Sequence, residues 1–188
     1  MNIPEDLTGH LLVAIPRTAH TAYVRGIMLV TAHWPSGSSM CMINKPYHDS
    51  GFNVTQVMTS AGIECRSTSP VFHGGPDEPN RIQFIHTLDW QCPSTKVLNK
   101  HIGVTQEVSI LSAIAADEGP EYWRCVSGHR VGHPSQIEGE LAGFDPWIPE
   151  HRWLVIPATI DNVFGCVGDQ QWLKAIETSS KLEVDSWF

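Results

Sequence analysis

The run Phe72-His73-Gly74-Gly75-Pro76 leaves the chain few backbone paths. Adjacent glycines can take positive φ at no steric cost, and Pro76 fixes its own φ and has no amide to donate. Coming directly after Val71, the run predicts a tight turn that lets a strand pass close to its neighbour. Successive turn amides can also form an anion-binding concavity. Pro76 removes one of those amides, and neither G-x-x-x-x-G-K-[ST] nor G-x-G-x-x-G occurs in the chain, so the tight turn is favoured.

The flanking sequence supplies strands for such a turn to join. Leu11 to Ile15 reads as a buried strand stopped by Pro16, and Gly26 to Thr31 as a second. Trp34-Pro35-Ser36-Gly37 turns the chain into a third run, Met40 to Ile43. Ile82 to Thr87 alternates as a half-buried strand would, and Tyr122 to Val126 and Trp153 to Ile156 are further strands. Asn53 and Gln56 have capping-box spacing for a helix reaching about Ala61. Val108, Leu111, Ile114 and Ala115 recur at helical spacing, Ser135 to Ala142 reads as a helix, and Asp169 caps a last helix carrying Trp172, Leu173 and Ile176. Strands lead in a meander and helices follow, which predicts one α+β domain over residues 1–188.

A second segment, Gln136-Ile137-Glu138-Gly139-Glu140-Leu141, carries the polar groups from which chemistry could be built. Ser135 and Glu138 fit an S-x-x-E capping box, and Ile137 and Leu141 should face the core. Gln136 and Glu140, four apart, can point together into a cleft, and Gly139 suggests close packing against another element. The expected binding cleft therefore joins His73, Gly74, Gly75 and Pro76 to Gln136, Glu138 and Glu140, with the turn beside the helix N-terminus.

Other groups are weaker candidates. His129 and His133 have H-x-x-x-H spacing, and Glu138 could add an oxygen ligand, but Pro134 disfavours one helix there. Surface histidines are the plainer reading, and no cofactor is expected. Cys125 lies near His129, yet a small apolar residue on a buried strand explains it better than a nucleophile. No G-x-S-x-G elbow or Ser-His-Asp signal is present, and no catalytic residue is assigned. The terminal Trp187 and Phe188 are expected to dock, either on this domain or at an interface.

Composition narrows the function classes. Twelve basic residues against twenty acidic ones give a net charge of −8, and the basic residues are isolated. Nucleic-acid binding needs a local concentration of cations, so direct binding is disfavoured. Five cysteines without a C-x-x-C pair point to free thiols in a reducing compartment. No apolar run is long enough to span a bilayer, and the N-terminus lacks the order of a secretory signal. A soluble cytoplasmic protein is expected.

The chain resembles the YqgE/AlgH family of bacterial proteins over about residues 7–176, leaving residues 177–188 as a tail. The resemblance is carried by Leu7 to Pro16, Tyr23 to Val30, His33, Asn44-Lys45-Pro46, Gly74-Gly75-Pro76, His86, Gln136 to Leu141, Trp153-Leu154 and Asp169 to Ala175. It implies a single α+β domain with a bifurcated, partly folded-over mixed β-sheet flanked by helices. It also implies a likeness to transcriptional regulators that lack a recognisable DNA-reading element. One departure is Gly128 to Ser135, where the family shows Gly-Trp and a second glycine. The leading expectation is a non-enzymatic regulatory protein that binds another protein. The alternatives are a small-molecule or metal-dependent enzyme using the expected cleft, and an acidic decoy of a nucleic-acid-binding protein.

Overall fold

A computed structural model describes residues 4–16, 18, 22–47, 52–64, 67, 69–143 and 153–185. Cys65, Trp187 and Phe188 lie outside the described residues, and with them the expected docking of the tail.

Among the described residues, nine strands form one curled sheet. β1 (His10–Ala14), β2 (Ile27–Trp34) and β3 (Gly37–Met42) make an antiparallel meander, and β9 (Trp153–Pro157) pairs with the outer edge of β1. β5 (Asp77–Thr87) pairs antiparallel with β7 (Ile102–Thr105), which carries the two-residue edge strand β6 (Lys96–Val97). β8 (Trp123–Gly132) joins the two halves. One edge of β8 follows β5. The other pairs antiparallel with β3 through Arg130 to Gly132 and parallel with β4 (Val71–His73) through Cys125 to Ser127. The parallel strand makes the sheet mixed, and this change of partner along β8 is its bifurcation.

Helices cover both faces, so a strand such as β1 is continuously apolar from Leu11 to Ala14 rather than alternating. On one face Leu11, Val13, Leu29, Ile85 and Val126 pack with Val163 of α4 (Ile160–Phe164) and Trp172 and Ala175 of α5 (Gly168–Asp185). On the other, Leu12, Met28 and Met40 pack with Ile137 of α3 (Gln136–Ala142). Phe84 and Cys125 pack there with Val54 and Met58 of α1 (Val54–Ser60) and Ile110 and Leu111 of α2 (Ser109–Ala115). The Asn53–Gln56 capping box opens α1 as its spacing predicts.

Three details differ from the sequence reading. The strand starting near Tyr122 runs on through Gly132, because Gly128 at φ +78° bends it without ending it. Asp169 lies inside the first turn of α5 and pairs with Arg25. β6, β7 and α4 lack the length or periodicity that would announce them.

His86 on β5 is fully buried; its Nδ1 bonds the Thr87 carbonyl at 2.9 Å, and its Nε2 has no partner. Burial pushes the imidazole below its ordinary value of 6.5, outweighing the bond to Thr87 and the charge of Asp89. The unfolded chain therefore takes up this proton first as pH falls. Stability from a neutral His86 is complete above pH 6.5 and declines below it, toward the lower folded value. Urea unfolding from about pH 7 to about pH 5 is expected to show that loss, with a flatter dependence in His86→Asn. Equal slopes in the two proteins would remove His86 as the cause.

Candidate functional site

The Gly74-Gly75 turn occupies the fork of the sheet. The Gly74 amide donates to the Ser127 carbonyl at 2.8 Å, and its carbonyl accepts from the Met42 amide at 2.7 Å, so the turn ties β8 to β3. A Cβ on Gly74 would stand 2.2 Å from the Gly128 carbonyl oxygen, and one on Gly75 would stand 2.3 Å from that of His129. Both glycines are buried, whereas His73 and Pro76 are exposed. With its amide and carbonyl both engaged, Gly74 ties strands of the sheet together.

The second segment is arranged differently from its sequence reading. Ser135 has φ 60° and makes no capping bond, because a cap needs extended backbone. Gln136 Oε1 instead accepts from the His133 amide at 3.0 Å. Glu138, half exposed, bonds His33 Nε2 at 3.0 Å, and His33 Nδ1 accepts from the Leu7 amide.

Glu140 is fully buried. Its Oε1 accepts from Arg130 Nη2 and from Gln136 Nε2 at 3.1 Å; its Oε2 accepts from Arg130 Nη1 at 3.1 Å and from Trp153 Nε1 at 2.7 Å. The Arg130 guanidinium lies over the Tyr23 ring, which meets Trp153 edge-on. A carboxylate has about four lone-pair sites, and these donors use them. Gln136 and Glu140 do come together, as their spacing predicts, but inside a buried network that clamps α3 and β9 to β8. Both motifs thus meet β8: the turn by backbone, and the helix through Arg130.

Among the described residues, the weaker candidates do not gather into one cluster. His129 lies on β8, whereas His133 follows its end at Gly132. His129 is buried while His133 is exposed. Among the described residues, no group of three His, Cys, Asp or Glu side chains could hold a metal ion. Burial pushes the Cys41 and Cys125 thiols up to about 12, which makes them poor nucleophiles. The four described cysteines, Cys41, Cys92, Cys125 and Cys166, are free.

A cleft of about 530 Å³ opens elsewhere, between β2, β5, β7 and the start of α2. Thr31, Gln83 and Thr105 lie in its wall, each buried; Arg81 and Lys96 bring positive charge, and Trp34 and Val108 stand at its mouth. Arg81 is held by Glu78 at 2.7 Å and by Gln106, whereas the Lys96 ammonium lies 5.1 Å from the Trp34 ring centroid. Beside the cleft, Cys92 Sγ meets the hydroxyls of Ser94, Thr95 and Thr105. Burial alone would raise this thiol, but those hydroxyls and the Ser94 amide bring it down to about 7. No sequence motif marks these residues. The one available signal is a tryptophan at the end of an apolar strand, before a turn.

Comparison with known proteins finds the likeness over most of the chain. Residues 11–181 match the family model described as AlgH-like. A UPF0301 protein of Gluconobacter oxydans is 31% identical over 177 residues, covering 90% of this chain and 89% of that protein. One from Shewanella loihica is 27% identical over 188 residues, covering 97% and 95%. The solution structure of the AlgH protein of Pseudomonas aeruginosa superposes with a TM-score of 0.70 at 24% identity, covering 94% of this chain and 89% of that one. A crystal structure of a Corynebacterium diphtheriae protein gives 0.71 at 17% identity, covering 93% and 88%. At these identities the structures speak for the fold alone.

Proposed function

Because this chain belongs to the AlgH-like family, we propose that it acts in the cytoplasm by binding another protein, as a regulator and not as a catalyst. The observation that carries the reading is the mouth of the cleft, where Trp34 and Val108 are each 52% exposed. Tryptophan is enriched among the residues that anchor interfaces, and two large apolar groups around one opening offer a partner such an anchor. The buried, fully bonded Glu140 and the raised thiol of Cys125 support the non-catalytic half of the proposal. Free thiols at four cysteines suit a reducing compartment.

Photo-crosslinking in cell extract tests the reading. Wild type and Leu173→Asp, altered on the exposed face of α5, are expected to capture one partner of defined mass. Trp34→Asp is expected to lose it. Failure to capture any partner, or its retention by Trp34→Asp, would overturn the proposal.

A further inference from the structure

We propose that the cleft between β2, β5 and β7 binds a small organic anion with a flat apolar portion, its charged end on Lys96 and its flat portion against Trp34. Its volume of about 530 Å³ lies within the range of small-molecule sites, which runs roughly from 300 to 1,000 Å³. The lining fits that ligand in charge. It carries two cations, Arg81 and Lys96, against one carboxylate, Glu107, in a chain whose net charge is −8.

The two cations have different parts. Arg81 already bonds Glu78 and Gln106, so it contributes positive potential from the wall. Lys96 has no carboxylate partner among the described residues, and its ammonium rests against the Trp34 ring. A compact ammonium on a flexible stem can turn from that ring to an entering anion, since an exposed cation–π contact is worth only about 0.5–1 kcal/mol.

The polar wall is preorganised. Thr31 Oγ1 donates to the Ser39 carbonyl at 3.1 Å, Ser94 and Thr105 hydroxyls meet at 3.0 Å, and Gln83 Nε2 donates to the Gly128 carbonyl at 3.2 Å. These groups hold one another in place before any ligand enters, so little ordering cost remains for binding. Beside them, the half-exposed indole of Trp34 offers a flat apolar surface whose burial favours an aromatic or similarly planar group. The inference stands apart from the protein-binding reading. A chain that bound the anion and captured no protein would overturn that reading and leave this one intact.

The test is a titration of the full chain with phenyl phosphate, followed by amide and indole NMR shifts. Saturable shifts are expected at the Trp34 indole and at the amides of Lys96, Thr105 and Gln106. Benzyl alcohol, flat but neutral, is expected to bind at least about tenfold more weakly, as is the Lys96→Gln variant with phenyl phosphate. Shifts centred elsewhere, or equal binding of the neutral probe, would overturn the proposal. So would wild-type affinity in Lys96→Gln. If that variant fails to fold, the two probes compared on wild type still decide.

Discussion

Replacing Glu140 by alanine is expected to cost about 3–5 kcal/mol of stability, because it takes the carboxylate away from a buried guanidinium. Arg130 Nη1 and Nη2 both donate to Glu140, and the Trp153 indole and the Gln136 amide converge on the same carboxylate. An alanine removes the acceptor and leaves the buried donors of Arg130 and Trp153 without it, which is worse than losing the bonds themselves. Glu138→Ala, two residues away on the same helix, removes a half-exposed carboxylate paired with His33 and should change stability by no more than about 1 kcal/mol. Urea unfolding of the two variants measures the contrast. Equal costs would mean that the buried network does not hold α3 and β9 in place.

The second large effect is expected at the fork. Gly74→Ala should destabilise by about 3 kcal/mol or more, since its Cβ would collide with the Gly128 carbonyl oxygen at 2.2 Å and the Val126 side chain at 2.6 Å. Neither neighbour can retreat easily: the Gly128 carbonyl is backbone in the central strand, and Val126 is fully buried. Gly62→Ala is the matching control. Gly62 has φ +74° with open space around it, so that substitution costs only backbone strain, about 1–2 kcal/mol. If Gly74→Ala were the milder of the two in thermal or urea unfolding, the close approach would not be what the turn requires.

Much of the fold is legible in the sequence because its apolar runs are discrete. Leu11 to Ile15, Gly26 to Thr31 and Met40 to Ile43 are each bounded by turn residues, and each coincides with a strand to within a few residues. The capping box at Asn53 is legible because its chemistry is local. β6 and β7 are not, since two and four residues carry no periodicity, and only pairing makes them strands, β7 on β5 and β6 on β7. The S-x-x-E pattern at Ser135 misleads for a related reason: it fits a capping box, but Glu138 is drawn to His33, a partner 105 positions away.

The candidate-site residues follow the same division. Gln136 and Glu140 meet, as a spacing of four dictates. What they meet, Arg130 and Trp153, comes from two strands that no local pattern connects to them. Arg124 was equally invisible: a buried guanidinium over the Phe72 ring that donates to the Ile43 and Cys166 carbonyls and to Gln171. The cleft is assembled from β2, β5, β6, β7 and the start of α2, so its lining is scattered from Thr31 to Ser109.

β8 has a consequence for how the molecule is made. It is the shared neighbour of β3, β4 and β5, yet it begins only at Trp123. Translation adds about 5–20 residues each second, so the earlier strands exist for several seconds before the one that joins them has been built. Until then the meander of β1, β2 and β3 and the β5–β7 pair lack the strand that both border, and each leaves an edge that the finished sheet pairs. β1 waits longer still for its second neighbour, since β9 starts at Trp153. During synthesis the two halves of this sheet lack their shared strand until residue 123 is reached, and a ribosome that stops short of it releases edges whose partner has not been made.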